Sequence, residues 1–490
     1  MSLQNQPGKR GGNKFLGFSH AKTKILATLG PQTSSVEIIK QLITAGVDAV
    51  RLNMSHGDYD FYSSLFENIH TARTESNSSV AILADLQGPK IRIGELKEKQ
   101  IEIFSGNKIE ITNEEVIGDD KLISTSYKVL AEDAEVGDLI LINDGLIRLK
   151  IISKKINSVI CEIVNGGILS ARKGLNLPGM KLSTPSLTEK DFANLEYLST
   201  KPVDYIALSF VRKAEDILLL KEWLNKKGKV IPIIAKIEKK EAIDSFESIL
   251  QASDGIMVAR GDLGVELSLA KVPVIQKEII KRCNETGKLV ITATQMLESM
   301  IKSPIPTRAE AADVANAVWD GTDVVMLSGE TSIGKYPVET VQMMNEIIIN
   351  AEQHFINDET IKFQIPDVLE ENLFDSVLKG ITSVAEQIKA NAIVVFTYKG
   401  RAARGLAKFR PSAKIIAISD SFETMNNLCL RWGVKSLFIN KIDKQNAAIE
   451  DAKQLILNAG LVNKGELVIF LSRAPEFETG RRDFLHFEVV

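Results

Sequence analysis

Eight short apolar runs separated by helical stretches, from Thr23 onward, set the main constraint on how this chain can fold. They read KILATL, DAVRLN, VAILAD, YIALSF, VIPIIAK, GIMVAR, KLVITAT and DVVMLS. Apolar runs without polar alternation mark strands buried on both faces, and such strands alternating with helices build a parallel sheet. Eight of them is the number that closes a (β/α)8 barrel. Two of the intervening helices are legible directly. Ser35 to Thr44 carries apolar residues every three or four positions, and Pro337 to Gln353 opens on a proline, which a first turn tolerates.

The series breaks between the third and fourth runs. There IEIFSGNKIEIT and DLILINDGLIRLKIIS alternate with period two, and Asn143-Asp-Gly and Asn165-Gly-Gly read as hairpin turns. An antiparallel β-barrel domain inserted at this point overhangs the barrel mouth, because the loops on that face follow the strands, and it is placed to act as a lid. After Ala351 the runs NAIVVFT, AKIIAIS, VKSLFIN, ELVIFLS and FLHFEVV describe a separate C-terminal α/β domain. The expected fold is therefore α/β: a (β/α)8 TIM barrel over 19–87 and 186–350, a β lid over 88–185, an α/β domain over 351–490 and a flexible tail over 1–18. No internal repeat is expected.

Composition excludes several function classes. A net charge of −3 over 490 residues gives no reason to expect nucleic acid or an anionic membrane as partner, so anion binding must come from local clusters. No run is long enough to span a bilayer, and MSLQNQPGKRGGNK lacks the apolar core of a signal peptide. Cys161, Cys283 and Cys429 have neither metal nor disulfide spacing, which fits a reducing cytoplasm. His20, His56, His70, His354 and His486 are scattered without metal spacing, and Trp223, Trp319 and Trp432 are expected as packing residues in helical stretches. GDLG is too short to count as a nucleotide fingerprint.

Polar residues gather just past the barrel strands. Strand two ends in Arg51, Asn53 and Ser55, strand three in Asp85, strand four in Ser209, and strand five in Lys236 and Glu238. Strand six ends in Arg260, Gly261 and Asp262, strand seven in Thr294 and Gln295, and strand eight in Ser328 and Glu330. One charged strand end is ordinary solvation; seven on one mouth point to chemistry at the face where barrel enzymes carry it. Mixed carboxylates and cations predict a phosphorylated or carboxylated substrate bound through a divalent metal.

The stretches ATLGPQT, VRLNMSHG, IIAKIE, SDGIMVARGDLGVE, ATQMLESMIKSPIPTRAEAADVANAVWDGTDVVMLSGET and GKYPVE resemble pyruvate kinase, over nearly the whole chain. The resemblance implies phosphoryl transfer from phosphoenolpyruvate to ADP, followed by protonation of the enolate to pyruvate. By matching motif it implies that Glu238 and Asp262 ligate Mg2+ or Mn2+, and that Lys236 lies against the transferring phosphoryl group. Arg51 and Arg92 are implied to fix that group and the nucleotide phosphates, as planar forks suited to phosphate. The N–H groups of Gly261 and Asp262 and the Thr294 hydroxyl are implied to hold the carboxylate, with Thr294 also placed for a proton relay. Ser209, Lys190, Ser328 and Glu330 line the same mouth by analogy, Ser209 on the substrate side and Lys190 with Asn53 on the nucleotide side. The family is usually a homotetramer.

Two departures matter. Many members read DTKGPEIRTG after strand three and bind K+ there through residues matching Asn53, Ser55, Asp85 and the Leu86 carbonyl; this chain reads DLQGPKIRIG. Lys90 stands where their glutamate stands, which resembles the K+-independent branch and implies that K+ is not required, a fixed cation replacing a diffusible one. In the last domain, TYKGRAARG follows a strand and matches the family's effector-phosphate loop, giving Thr397, Lys399, Gly400 and Arg401 that role. Ala402 lacks the hydroxyl some members carry, and EFETGRR differs from the loop that closes over fructose 1,6-bisphosphate. The effector is therefore open between a sugar bisphosphate, a sugar monophosphate and a nucleotide. Two other classes share parts of the pattern. A metal-dependent aldolase or lyase would use Glu238 and Asp262 but not Lys90, Arg92, the lid or the effector loop. Lys236, Glu238, Asp262 and Thr294 together argue against a ligand-sensing relative without catalysis.

Overall fold

All eight apolar runs become parallel strands of one closed barrel: Lys24–Thr28, Ala49–Asn53, Ala81–Asp85, Tyr205–Leu208, Ile233–Ile237, Gly255–Ala259, Leu289–Ala293 and Val324–Leu327. The computed structural model describes residues 21–55, 57–357, 373–440, 445–473 and 483–490. The tail 1–18, His20, His56 and the loop EFETGRR lie outside them, as does the side chain of His354. Strands one, three, six and seven are buried at every position. One side faces the barrel axis, where Leu26, Leu83, Tyr205, Ile234, Met257 and Ile291 pack, and the other faces the helices. That is why the runs do not alternate. Ser35 caps the helix Val36–Ala45 by accepting the Ile38 N–H at 3.4 Å, and the helix begun by Pro337 extends to Asn357 with Ala351 in the barrel core. Among the described residues no helix is long and apolar enough to cross a membrane.

The inserted segment forms a six-stranded and a two-stranded sheet around its own core. Its pairs are antiparallel except Lys108–Thr112 with Leu122–Ser124, which run parallel. Asn143, Asp144 and Gly145 adopt left-handed φ values of 54°, 55° and 85° and turn Leu139–Ile142 into Ile147–Lys154, as expected. The second hairpin signal is corrected. Ser158–Asn165 does not pair with Gly167–Ser170, which instead pairs with Gln100–Ile103 in the other sheet. A Cβ on Gly166 would lie 2.2 Å from the Ile103 carbonyl oxygen, so this glycine permits a close backbone crossing between sheets and does not make a turn.

The C-terminal sheet orders Val434–Phe438, Lys414–Ser419, Ala392–Phe396, Leu467–Arg473 and Asp483–Val489, the last strand antiparallel to its neighbour. It docks on the barrel end where the strands begin. Arg410 is 9% exposed and donates to Asp323 Oδ1 and the Gly321 carbonyl, both at 2.7 Å, and to Asn284 Oδ1 at 3.0 Å. Its guanidinium lies 4.9 Å above the ring of Trp432, which sits in a turn and not in the helix expected for it.

A recurring aspartate escapes sequence reading. VDAV, VDYI, SDGI and TDVV place Asp48, Asp204, Asp254 and Asp323 immediately before barrel strands two, four, six and eight. Each aspartate clamps one residue of the preceding strand at two points. Its N–H donates to the carbonyl of Ile25, Ile82, Ile233 or Val290, at 3.0, 3.0, 2.9 and 3.1 Å. Its carboxylate accepts the same residue's N–H, at 3.1, 2.7, 2.9 and 2.9 Å. Each also faces a cation: Lys24, Arg73, Lys221 and, from the C-terminal domain, Arg410. The recurrence has no fixed period and is not an internal sequence repeat: one residue type recurs at the starts of alternate barrel strands. Asp204 is 7% exposed and Asp254 39%, so the two clamps should differ in strength. Asp204→Ala removes the carboxylate partner of a half-buried Arg73 and should cost about 3 kcal/mol. Asp254→Ala should cost about 1 kcal/mol. Urea midpoints compare the two, and equal losses would refute the dependence on burial.

Candidate active site

The strand ends bring three carboxylates and two cations together at the barrel mouth. Lys236, the penultimate residue of strand five, places Nζ 2.9 Å from Glu238 Oε1, 3.3 Å from Asp85 Oδ1 and 2.7 Å from Ser209 Oγ. Arg51 Nε lies 2.7 Å from Asp85 Oδ2, and its Nη1 donates to Thr28 Oγ1 at 3.1 Å. Glu238 and Asp85 are 1% exposed and Lys236 12%. Burial alone would lower the Lys236 pKa, but Asp85 and Glu238 overcome it and raise it above the ordinary lysine value. Burial likewise disfavours charge on Asp85, yet Lys236 and Arg51 hold its pKa below the usual carboxylate range. These groups form one interleaved charged cluster, so each depends on the others.

Two carboxylates suit a divalent ion. Glu238 is pushed up by burial, with Asp262 adding to that push, and a cation between the two would relieve both effects. Glu238 Oε2 is aimed by the N–H of Phe210 at 2.7 Å, and the Asp262 carboxylate has no hydrogen bond or ion pair among the described residues. Among those residues no cluster of three or more His, Cys, Asp or Glu could hold a metal. A two-carboxylate oxygen site is the pattern for Mg2+ or Mn2+ that keeps positions for substrate oxygens and water. The residues present fit such an ion.

Thr294 and Gln295 have left-handed φ values of 69° and 54° just past strand seven, and Phe210 has 54° past strand four. Three non-glycine residues held this way at one mouth are strain kept where function needs it. Thr294 Oγ1 accepts the Gly261 N–H at 2.9 Å and donates to the Ala293 carbonyl at 2.7 Å, so Gly261 is engaged by Thr294 here. Arg260 does not face the mouth. It donates to the Thr294 carbonyl at 2.6 Å and pairs with Asp313 at 2.7 Å, bracing the strained turn. Glu330 is fully buried and accepts the N–H groups of Ser328 at 2.7 Å and Leu297 at 3.2 Å, joining the loops after strands seven and eight. For Arg260 and Glu330 the strand-end reading is corrected: loop direction turned both away from the mouth and into structural bonds.

Three of the four groups matching a K+ site are engaged internally. Asp85 is paired with Arg51 and Lys236, the Leu86 carbonyl accepts the Ser209 hydroxyl at 2.7 Å, and Asn53 Oδ1 accepts the Ser55 N–H at 3.2 Å. Lys190 reaches this loop, donating to Gln87 Oε1 at 2.7 Å and the Ser55 carbonyl at 3.2 Å. Lys90 is not drawn into the cluster. It is exposed and lines a cavity of about 210 Å3 between lid and barrel, with Arg92, Phe210, Arg212, Lys239 and Asp262. Arg92 is steadied by donating to the Arg172 carbonyl at 3.0 Å. Arg212 donates to the carbonyls of Leu182 at 2.5 Å and Thr184 at 2.7 Å, fastening the lid's return segment to the barrel.

Sequence reading missed Phe210, Arg212 and the buried pair Lys239–Glu266. A second lysine directly after Glu238, and a glutamate four residues past Asp262, were the available signals. In the C-terminal domain Thr397 is buried, Gly400 has φ 73° before the helix Arg401–Lys408, and Lys399 and Arg401 are exposed, with Arg401 4.9 Å over Phe374.

Comparison with known proteins shows the family. A family model described as the pyruvate kinase barrel domain matches residues 20–341, and one described as the pyruvate kinase alpha/beta domain matches 375–487. Pyruvate kinase of Geobacillus stearothermophilus is 41% identical over 472 residues, covering 96% of this chain and 80% of that protein. The Clostridium acetobutylicum enzyme of the same name is 40% identical over 471 residues, 96% and 99%. The crystal structure of a pyruvate kinase from Cryptosporidium parvum superposes with a TM-score of 0.88 at 35% identity, covering 96% of each chain.

Proposed function

The chain belongs to the pyruvate kinase family, and from that membership we propose how its own residues divide the work. It transfers the phosphoryl group of phosphoenolpyruvate to ADP, giving pyruvate and ATP in the last step of glycolysis. The family uses a divalent metal. Glu238 and Asp262 would hold it as Mg2+ or Mn2+, and when bound it neutralises substrate oxygens and lowers the cost of charge in the transition state.

Lys236, protonated and half-buried, opposes the charge on the phosphoryl group as it becomes metaphosphate-like. Arg51, fixed by Asp85 and Thr28, orients that group, and Arg92 and Lys190, with Asn53, serve the nucleotide phosphates. The Asp262 N–H takes the substrate carboxylate, joined by the Gly261 N–H and the Thr294 hydroxyl once these exchange their present bonds for it, and Ser209 keeps Lys236 aimed. Thr294 also serves the proton relay to the enolate carbon. The observation that carries this reading is the interleaving of Lys236, Glu238, Asp85 and Arg51 beside an Asp262 carboxylate that has no partner among the described residues. A coupled assay with phosphoenolpyruvate, ADP and Mg2+ tests it: pyruvate and ATP must appear in equal amounts.

Lys90 replaces K+. What supports this is that Asn53, Asp85 and Leu86 already have protein donors, while the Lys90 ammonium is unpaired among the described residues at the lid edge, from which lid closure carries it inward. Turnover should be unchanged when K+ gives way to tetramethylammonium, and Lys90→Glu should make the rate rise with K+. A collapse of wild-type activity without K+ would sink the idea. Thr397, Lys399, Gly400 and Arg401 bind a phosphorylated effector, supported by two exposed cations at a strand-to-helix turn. The functional unit is a cytoplasmic homotetramer.

A further inference from the structure

Resting on Glu238 and Asp262 as the metal ligands, we propose that the buried ion pair Lys239–Glu266 is a strut that sets the spacing of those two carboxylates. Lys239 follows Glu238 directly, and Glu266 stands four residues past Asp262, one turn along the helix Arg260–Glu266 and on the same side. The pair therefore joins the two ligand-bearing segments one step behind each ligand. Strands five and six are in register through Ile237 and Val258, but beyond that rung the chain enters two separate helices, Lys240–Asp244 and Arg260–Glu266. Lys239 Nζ bonds Glu266 Oε1 across this gap, with the two side chains 6% and 1% exposed.

A third contact aims the strut. The Lys239 ammonium lies 6.0 Å from the ring of Phe210, and the strained backbone of Phe210 points its N–H at Glu238 Oε2. Charge alone gives no reason for a lysine here, because a cation beside a metal site repels the metal. Stability alone is a poor reason too, since apolar residues of similar size often serve as well as a buried ion pair. A fixed length and direction between two mutually repelling carboxylates is what the pair supplies. Lys239 and Glu266 are thus positioning residues that act through the ligands.

The opposed effects of charge and position make the test sharp. Mn2+ is titrated into the full-length protein without substrates, with free ion read by electron paramagnetic resonance, and KM for ADP is measured alongside. Lys239→Met should weaken Mn2+ binding about tenfold, the usual effect of removing an outer-shell support, with KM for ADP changed less than about twofold. Unchanged or tighter binding, as loss of a nearby cation predicts, overturns the proposal. Lys239→Arg keeps the link and should stay within about threefold of the parent; binding as weak as in the methionine variant also overturns it. If the methionine variant does not fold, Glu266→Gln carries the test, with an expected weakening of about threefold and no change as the refuting result. Glu238→Gln is the control for the underlying reading: full Mn2+ binding there shows that the ligand assignment has failed, and not the strut.

Discussion

Lys236→Met should lower kcat by about three orders of magnitude, or about 4 kcal/mol of lost transition-state stabilisation. The reasoning rests on position and charge state together. The ammonium is held by Glu238, Asp85 and Ser209 at 2.9, 3.3 and 2.7 Å, so it is aimed before substrate arrives and needs no rearrangement as charge develops. Its pKa is raised in the fold, so the stability it contributes is fully present below the ordinary lysine value and is lost only as pH rises through the higher folded value. Between about pH 6 and 9 it stays charged, and no alkaline loss of rate in that window should trace to it. The same substitution leaves two buried carboxylates without their shared cation and should cost about 3 kcal/mol of stability. Rates are therefore to be scaled to the folded fraction from circular dichroism. A scaled kcat within tenfold of the parent would remove Lys236 from the chemistry.

Arg410→Met should destabilise the protein by about 3 to 5 kcal/mol, the range for breaking a buried ion pair on one side only. Arg410 comes from the C-terminal domain, yet its bonds to Asp323, Gly321 and Asn284 lie in the barrel. Asp323 also receives the Val290 N–H at 2.9 Å, so it ties strands seven and eight at their starts. Burial raises the Asp323 pKa even with Arg410 pulling it down, so without the guanidinium the carboxylate takes up a proton more readily. The loss should appear as a lower melting temperature and as faster hydrogen exchange in both Val324–Leu327 and Val434–Phe438. Faster exchange in only one of the two segments would show that Arg410 does not couple the domains.

Much of the barrel site was legible because its residues announce themselves locally. Lys236, Glu238 and Asp85 end apolar runs, and a charge at the end of a buried strand is visible from burial pattern alone. Arg260 and Glu330 looked equivalent and were not, since the direction of a residue just past a strand depends on the loop that follows. Asn165-Gly-Gly shows the same limit: a glycine serves left-handed turns and close backbone crossings alike, and only the approach of Ile103 decides between them. Lys90 was identified by its place in a motif, but its position at the lid edge came from the sheets around it.

By itself the sequence determined the eight strands, the interrupting β segment, the last α/β unit and the residue types at the barrel mouth. These follow from burial periodicity and from charge at strand ends, which act over a few neighbouring residues. Only the tertiary structure decided which charges pair, which carboxylate has no partner among the described residues, and which pairs act as links: Lys239 with Glu266, Arg410 with Asp323, and the four aspartates with the strands before them. Those are distances between residues tens or hundreds of positions apart. Closing the barrel and docking the last domain fix them, and a local pattern such as the aspartate before a strand marks a candidate without naming its partner.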